Sequence, residues 1–263
     1  MSARVRPPAV AGLFYPADAR KLRSTVAAHL AAASVRPLRP KALIVPHAGY
    51  IYSGPVAASG YRLLEALRDT VTRVVLLGPS HRVGFHGIAT PAVTAYATPL
   101  GEVALDLEAL AAIAGLPGVI PLDRAHVPEH SLEVHLPFLQ SVLDAFRLVP
   151  LVVGEASPAE VDGVLEALWG GDETLIVVSS DLSHYLDYRS AQLSDSATSQ
   201  AIAALDPRPI GPEQACGCRP VAGLLWAARR HGLHCEVLDL RNSGDTAGSR
   251  HQVVGYGAYA FVA

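Results

Sequence analysis

The chain has 263 residues, of which 50% are apolar and 17% charged, so it can bury a full core and is not a disordered protein. A net charge of -3 without a run of Lys or Arg argues against nucleic acid as a partner. No stretch is long and apolar enough to span a membrane, and prolines interrupt the N-terminal segment where a signal peptide would be apolar, so we expect a cytoplasmic protein without a membrane partner.

Short apolar, β-branched segments alternate with helical patterns along the chain. In chain order, the predicted elements are helix 18–33, strand 41–46, helix 55–67, strands 73–78 and 87–93, helix 131–146, strand 147–154, helix 157–169, strand 174–180, helices 189–205 and 219–232, and strands 235–240 and 255–263. Continuous apolar runs are typical of strands buried on both faces. The pattern predicts one α/β domain over residues 1–263, with a mostly parallel central sheet and helices on both faces.

Polar residues directly follow several of these strands. His47 follows the first strong strand, His81 the second, and Asp181 and His184 follow strand 174–180. Ligands bind beyond the carboxyl ends of the strands in such sheets, so we expect these residues to converge. Two imidazoles and a carboxylate suit a divalent transition metal with open positions, although each residue alone could equally be a loop or helix-capping group.

The stretch 128–140, PEHSLEVHLPFLQ, places four titratable residues within seven positions, namely Glu129, His130, Glu133 and His135. Ser131 could cap a helix that starts here. The spacing differs from the H-E-x-x-H pattern of zinc proteases. Two interpretations stay open: solvated polar groups at a helix start, or groups that support a metal and form a substrate wall.

Cys216, Cys218 and Cys235 are too few and too irregularly spaced for a disulfide framework or a four-cysteine zinc site. We expect reduced, partly buried thiols. Cys216 belongs to a C-x-C pair rather than a redox C-x-x-C, and we expect it at a loop-to-helix junction, with a reactive thiol as the alternative. The chain also has no phosphate-binding loop and no nucleophile elbow.

Seven motifs occur in a fixed order along the chain: VAGLFYP, PHAGYIYSG, LLGPSH, EHSLEVHLPFLQ, SSDLSHY, ACGCRPV, and RNSGD followed by VVGYGAYAF. Together they resemble the Memo-like proteins, described in bacteria and archaea as protein B of the AmmeMemoRadiSam system. The resemblance spans nearly the whole chain. It implies a fold akin to the LigB-type class III extradiol dioxygenases, in which two histidines and a carboxylate hold Fe(II) and a separate histidine is the acid and base.

The resemblance also implies roles for individual residues. His47 and His81 fall on the metal-binding histidines, and His184 on the acid/base histidine. Asp181 lies beside the metal, as a ligand or as a group that orients one. Some Memo-like proteins use a cysteine just before the RN pair as a third ligand, and here Leu240 holds that place. We expect Fe(II), with copper, zinc or no metal as the alternatives.

The leading hypothesis is therefore a metal-dependent, dioxygenase-like oxidoreductase. Its predicted substrate pocket is formed by Tyr50, Glu133, His135 and Asn242. Tyrosines near the predicted site suit a planar ligand, although tyrosines are equally common at the rim of a core. The alternative is a non-catalytic module that binds a peptide or an anionic small molecule, with Arg82 or Arg241 as the cation. The resemblance further implies AMMECR1-type and radical-SAM proteins as partners.

Overall fold

The computed structural model describes residues 4–34 and 36–263. Residues 1–3, at the start of the N-terminal segment considered above, and Val35, within a proline-rich connection, lie outside the described residues. The strands are β1 Val5–Arg6, β2 Ala42–Val45, β3 Arg73–Pro79, β4 Ile88–Thr90, β5 Ala95–Thr98, β6 Gly101–Ala104, β7 Val119–Pro121, β8 Arg147–Val153, β9 Thr174–Ser179, β10 His184–Leu186, β11 His234–Asn242 and β12 Val253–Val262. The α-helices are α1 Ala19–Ala32, α2 Tyr50–Tyr61, α3 Leu107–Ile113, α4 Asp123–His126, α5 Leu136–Val142, α6 Pro158–Ala167, α7 Tyr188–Ala203 and α8 Cys218–Arg230. Within these described ranges, 3₁₀ helices span Arg62–Leu67, Glu133–His135 and Ser243–Asp245.

The main sheet has nine strands in the order β10-β12-β2-β9-β3-β8-β4-β7, with β11 also paired to β12. Its centre, β2-β9-β3-β8, is parallel. On one side β12 runs antiparallel to β2, β10 and β11, and on the other β4 runs antiparallel to β8. Parallel pairing returns at the far edge, between β4 and β7. The predicted parallel character therefore holds in part, because β12 and β4 run against the central strands. A second sheet contains β1, β5 and β6.

Two neighbouring serines at the end of β9 show that helical segments cover both faces of the sheet. The hydroxyl of Ser179 contacts His135 of the 3₁₀ helix before α5. The hydroxyl of Ser180 accepts a hydrogen bond from the amide of Gly217, which precedes α8. Successive side chains of a strand point to opposite faces, so α5 and α8 lie on opposite sides. One continuous hydrophobic core, extending from Val10 to Phe261 in the chain, joins these layers into a single α/β domain.

The helix predicted over 131–146 is much shorter in the structure. The α-helix spans only Leu136–Val142 and follows a 3₁₀ turn. Ser131 does not cap it: its hydroxyl donates to the carbonyl oxygen of Pro79 at 2.8 Å. The segment before α5 is thus used for contacts with the strand ends. Within the described residues, no helix combines the length and apolar character needed to cross a bilayer.

Candidate metal centre

The sheet brings the sequence-predicted histidines together at the carboxyl ends of its parallel centre. His47 follows β2, His81 follows β3, and Asp181 follows β9, which lies between those two strands. His184 begins the short strand β10 that comes after β9 in the chain. The ring centroids of His47 and His81 are 5.0 Å apart. His47, His81, Asp181 and His184 all line one cavity of about 780 Å³. The predicted convergence of these side chains is therefore observed.

His47 is buried and its two ring nitrogens have different surroundings. Nδ1 lies 2.6 Å from the hydroxyl oxygen of Ser179. Nε2 lies 3.4 Å from Sγ of Cys216 and 3.9 Å from Oδ2 of Asp181. Burial, reinforced by the nearby imidazoles, holds the pKa of His47 well below its usual range. The ring is thus neutral, and its contact with Asp181 is not an ion pair.

Glu129 contacts both the ring and the backbone amide of His81. Its Nδ1 lies 2.9 Å from Oε1 of Glu129, and its amide donates to Oε2 at 2.6 Å. Burial acts to raise the pKa of Glu129, but hydrogen bonds from His81 and the Ser131 amide outweigh it and lower that pKa to about 2. An ionised carboxylate only accepts, so His81 donates through Nδ1, and Nε2 is the ring nitrogen left to bind a metal. This is the orientation of a metal-ligating histidine with a carboxylate partner.

Cys216 supplies a third donor beside these two histidines. One donor atom each from His47, His81 and Cys216 lies within 4.8 Å of the others. Two ligands of one tetrahedral ion, with N and S at their usual bond lengths, are about 3.5 Å apart, and Nε2 of His47 is 3.4 Å from Sγ. Burial and the nearby Asp181 raise the pKa of the Cys216 thiol, so metal binding would release its proton.

The backbone beside Cys216 explains how a loop residue reaches the strand ends. A Cβ on Gly217 would lie 2.6 Å from the carbonyl oxygen of Ser179 and 2.7 Å from Cβ of Ser180. Only glycine permits this close approach of the loop to the end of β9. The amide of Asp181 then donates to Sγ of Cys216 at 3.3 Å. The predicted loop-to-helix junction at Cys216 is correct, since α8 begins at Cys218.

Residue 240 stands where some Memo-like proteins have a ligating cysteine, and this chain has a leucine there. Leu240 lies on β11 opposite Gly257, is 36% exposed and does not line the cavity. Sequence reasoning therefore missed Cys216 as a donor. The available signal was the Cys-Gly pair directly before a helix, which was interpreted only as a junction.

Asp181 and His184 lie outside the group of three donors. Oδ1 of Asp181 already accepts from the amide of His47 at 2.8 Å. Burial raises the pKa of Asp181 to about 7. Burial also lowers the pKa of His184, whose ring lines the cavity. His184 can therefore exchange a proton with a molecule in the cavity.

A second group of donors, His81, Glu129 and His130, overlaps the first. Oε1 of Glu129 accepts from the amides of His130 and Ser131 at 3.0 and 2.9 Å, as well as from His81. That carboxylate is thus already occupied, and its role here is to orient His81. The ring of His130 stacks on His81, with centroids 4.7 Å apart.

The four residues predicted to form the substrate pocket do not line the cavity. Tyr50 is buried and donates to the carbonyl oxygen of Val134. Glu133 is buried against Arg6, His135 contacts Ser179, and Asn242 accepts from the amide of Gly244 to cap a 3₁₀ helix. Each is committed to an internal contact, so the prediction is corrected.

Aromatic residues and one cation form much of the observed cavity wall: Phe14, Tyr52, Arg82, Tyr185 and Tyr256. Tyr185 is 69% exposed and has a φ of 58°, in the left-handed region that a tyrosine rarely adopts. Such strain is often retained at functional sites.

Comparisons with known proteins give the family. The family model described as "Memo-like protein" matches residues 6–260. MEMO1 family proteins from Ignicoccus hospitalis and Aquifex aeolicus are 37% and 38% identical, covering 98% and 96% of this chain and 98% and 97% of those proteins. The crystal structure of the uncharacterized protein JW3007 from Escherichia coli K12 has a TM-score of 0.50 at 15% identity, over 83% of this chain and 99% of that one, which indicates a similar fold. The chain belongs to the Memo-like family.

Proposed function

We propose that this chain binds a redox-active metal ion through His47, His81 and Cys216 and acts as a metal-dependent oxidoreductase on a small molecule in the adjoining cavity. The observation that carries the proposal is the meeting of three donor atoms from three distant parts of the chain within 4.8 Å. The relation to LigB-type dioxygenases that the Memo-like resemblance implies supports redox chemistry at this place.

The donor set bears on the identity of the metal. A face of two histidines and one carboxylate favours Fe(II), whereas a thiolate adds affinity for copper and zinc. Fe(II) remains the proposed metal, with copper as the first competitor. A bound iron or copper ion would supply a Lewis-acidic, redox-active centre with positions open to the cavity.

The chain's own side chains would prepare the ligand for reaction. His184 is half-buried beside the cavity, and its lowered pKa keeps the imidazole neutral and able to accept a proton from a bound hydroxyl group. Tyr52 and Tyr185 offer flat apolar surfaces to a planar ligand. Asp181 fixes the backbone of His47 through the amide hydrogen bond.

Metal analysis of the anaerobically purified chain tests the metal centre. We expect stoichiometric metal in the wild type and its loss in the Cys216→Ala variant and in a variant lacking both His47 and His81. Cys235→Ala is the matched control, because Cys235 lies in β11 outside the donor group, and it should retain the metal. Full metal content in Cys216→Ala would contradict the proposed ligand set.

Oxygen uptake with catechols then tests the oxidoreductase. His184→Gln should retain the metal and lose oxygen consumption.

A second candidate is a non-catalytic binding module, favoured by the exposed Tyr185 and the Arg82 side chain on the cavity wall. Tight peptide binding by a metal-free wild-type chain would support that candidate, and copurification would test the proposed AMMECR1-type and radical-SAM partners.

A further inference from the structure

We propose that Ser179 is a positioning residue that determines which nitrogen of His47 faces the metal centre. The inference rests on the proposed metal centre for its functional meaning. Its structural content concerns only the described side chains and can be tested without metal.

Three groups surround the hydroxyl oxygen of Ser179, which is fully buried. The carbonyl oxygen of Ser131 lies at 2.6 Å, Nδ1 of His47 at 2.6 Å, and Nε2 of His135 at 2.8 Å. A hydroxyl group has one hydrogen to donate and two lone pairs to accept with. The three neighbours therefore use its whole hydrogen-bonding capacity.

The carbonyl group decides how these bonds are directed. A carbonyl oxygen cannot donate, so the hydroxyl hydrogen of Ser179 must go to Ser131. If Ser179 donated to His47 instead, two oxygens would face each other at 2.6 Å with no hydrogen between them. Both histidines must consequently donate to Ser179, His47 through Nδ1 and His135 through Nε2.

The consequence for His47 is a fixed tautomer. With its proton on Nδ1, the neutral ring carries its lone pair on Nε2, the nitrogen that lies 3.4 Å from Sγ of Cys216. The opposite tautomer would place an N–H at the same position and exclude a metal ion. Ser179 thus does for His47 what Glu129 does for His81, with a neutral group in place of a carboxylate.

The arrangement also gives a reason for the burial of His135, which does not line the cavity. His135 donates to one lone pair of the Ser179 hydroxyl, and the other lone pair accepts from Nδ1 of His47. With Ser131 and His135 both engaged, only the donor role remains for Nδ1 of His47.

The direct test is the tautomer of His47 in the wild-type chain, measured by long-range ¹H–¹⁵N NMR after chelator treatment. The His47 signals are assigned by their loss in a His47→Gln variant. We expect a protonated Nδ1 and an unprotonated Nε2 on His47, and the opposite tautomer on His135. An Nε2–H tautomer of His47 would overturn the proposal, whatever the metal content of the protein.

A variant tests the link to metal binding. Ser179→Ala should remove the preference for the Nδ1–H tautomer and weaken binding of Co²⁺, used as a spectroscopic probe, by about 10- to 100-fold. Ser199→Ala is the matched control, since Ser199 is equally a buried serine but lies in α7, away from the donor group. An affinity of the folded Ser179→Ala variant within about threefold of the control refutes the positioning role.

The outcomes separate this inference from the proposed function. If Ser179→Ala fails to fold, the wild-type tautomer still decides. Loss of the metal in Cys216→Ala together with an Nε2–H tautomer on His47 would retain the metal centre and reject the role of Ser179.

Discussion

Replacing Glu133 with glutamine should lower the free energy of unfolding strongly and leave the affinity for metal unchanged. Glu133 is fully buried. Its Oε2 accepts from Nη1 of Arg6 and from the amide of Ala9, both at 2.7 Å. Its Oε1 accepts from the hydroxyl of Tyr15 at 2.6 Å and from the amide of Val10 at 3.0 Å. One carboxylate therefore joins the N-terminal segment to the turn before α5.

The expected loss in the free energy of unfolding follows from the buried Arg6 charge that glutamine leaves without a carboxylate partner. Removing one partner of a buried ion pair costs about 3–5 kcal/mol, because the other charge stays buried without compensation. Arg6, with a side chain only 2% exposed, still donates to the carbonyl oxygens of His126 and Glu129 at 2.7 and 2.6 Å. Those bonds favour the lower end, about 3 kcal/mol, which is a large part of the roughly 5–15 kcal/mol of a typical domain.

Urea unfolding followed by circular dichroism measures this difference. Glu166→Gln is a suitable control, because Glu166 pairs with His231 at 2.9 Å on the surface and should cost less than about 1 kcal/mol. Titration with metal at low urea measures the second half of the prediction. A Glu133→Gln variant that unfolds like the control, or that loses metal affinity while folded, would refute the structural role and restore the predicted place of Glu133 in the pocket.

Three further substitutions probe the centre itself. Glu129→Gln should weaken metal binding by about 10- to 100-fold, measured by competition with a chelator, because His81 loses its charged anchor; unchanged affinity would contradict that anchor. Gly217→Ala should lower both the thermal midpoint and the metal affinity, since the added Cβ would lie 2.6 Å from the carbonyl oxygen at the end of β9 and move Cys216; a variant equal to wild type in both would show that the loop can yield. Asp181→Asn should remove a pH dependence of the free energy of unfolding. Burial raises the pKa of the Asp181 carboxyl from 3.8 to about 7, so the metal-free folded chain retains a proton that the unfolded chain loses. The stability of the wild type should therefore fall as pH rises between those two values, by on the order of 4 kcal/mol. Urea unfolding at several pH values would contradict this if wild type and variant changed in parallel.

The ends of the central strands could be predicted because continuous apolar runs in the sequence identify those strands. Their apolar runs identify β2, β3 and β9 as buried strands, and neighbouring parallel strands end at the same edge of a sheet. His47, His81 and Asp181 come within two residues of the ends of those strands, and His184 begins β10 shortly after β9. Their positions along the chain therefore translate into proximity. The edges of the sheet were less predictable, because the antiparallel return of β12 depends on long-range pairing with β2.

The residues between 129 and 135 show where pattern alone is insufficient. Spacing places four titratable groups close together but does not tell which contacts each one makes. In the structure, Glu129 and His130 lie at the edge of the candidate metal centre, whereas Glu133 contacts the N-terminal segment. The place of Glu133 depends on Arg6, which is 127 residues away in the chain. Local sequence periodicity cannot predict such a distant partner.

Cys216 illustrates a different limit, since it follows no strand. It belongs to a loop before α8 and contacts His47 because Gly217, the next residue, packs closely against the backbone at the end of β9. A search confined to strand ends finds only Leu240 at the place where some Memo-like proteins have a ligating cysteine, and Leu240 is 36% exposed on β11. The physical requirement that a loop approach a buried strand without a Cβ is, however, visible in the sequence as Cys-Gly. A Cys-Gly pair directly before a helix is therefore a candidate metal ligand in an α/β chain, as is a histidine that follows a buried strand.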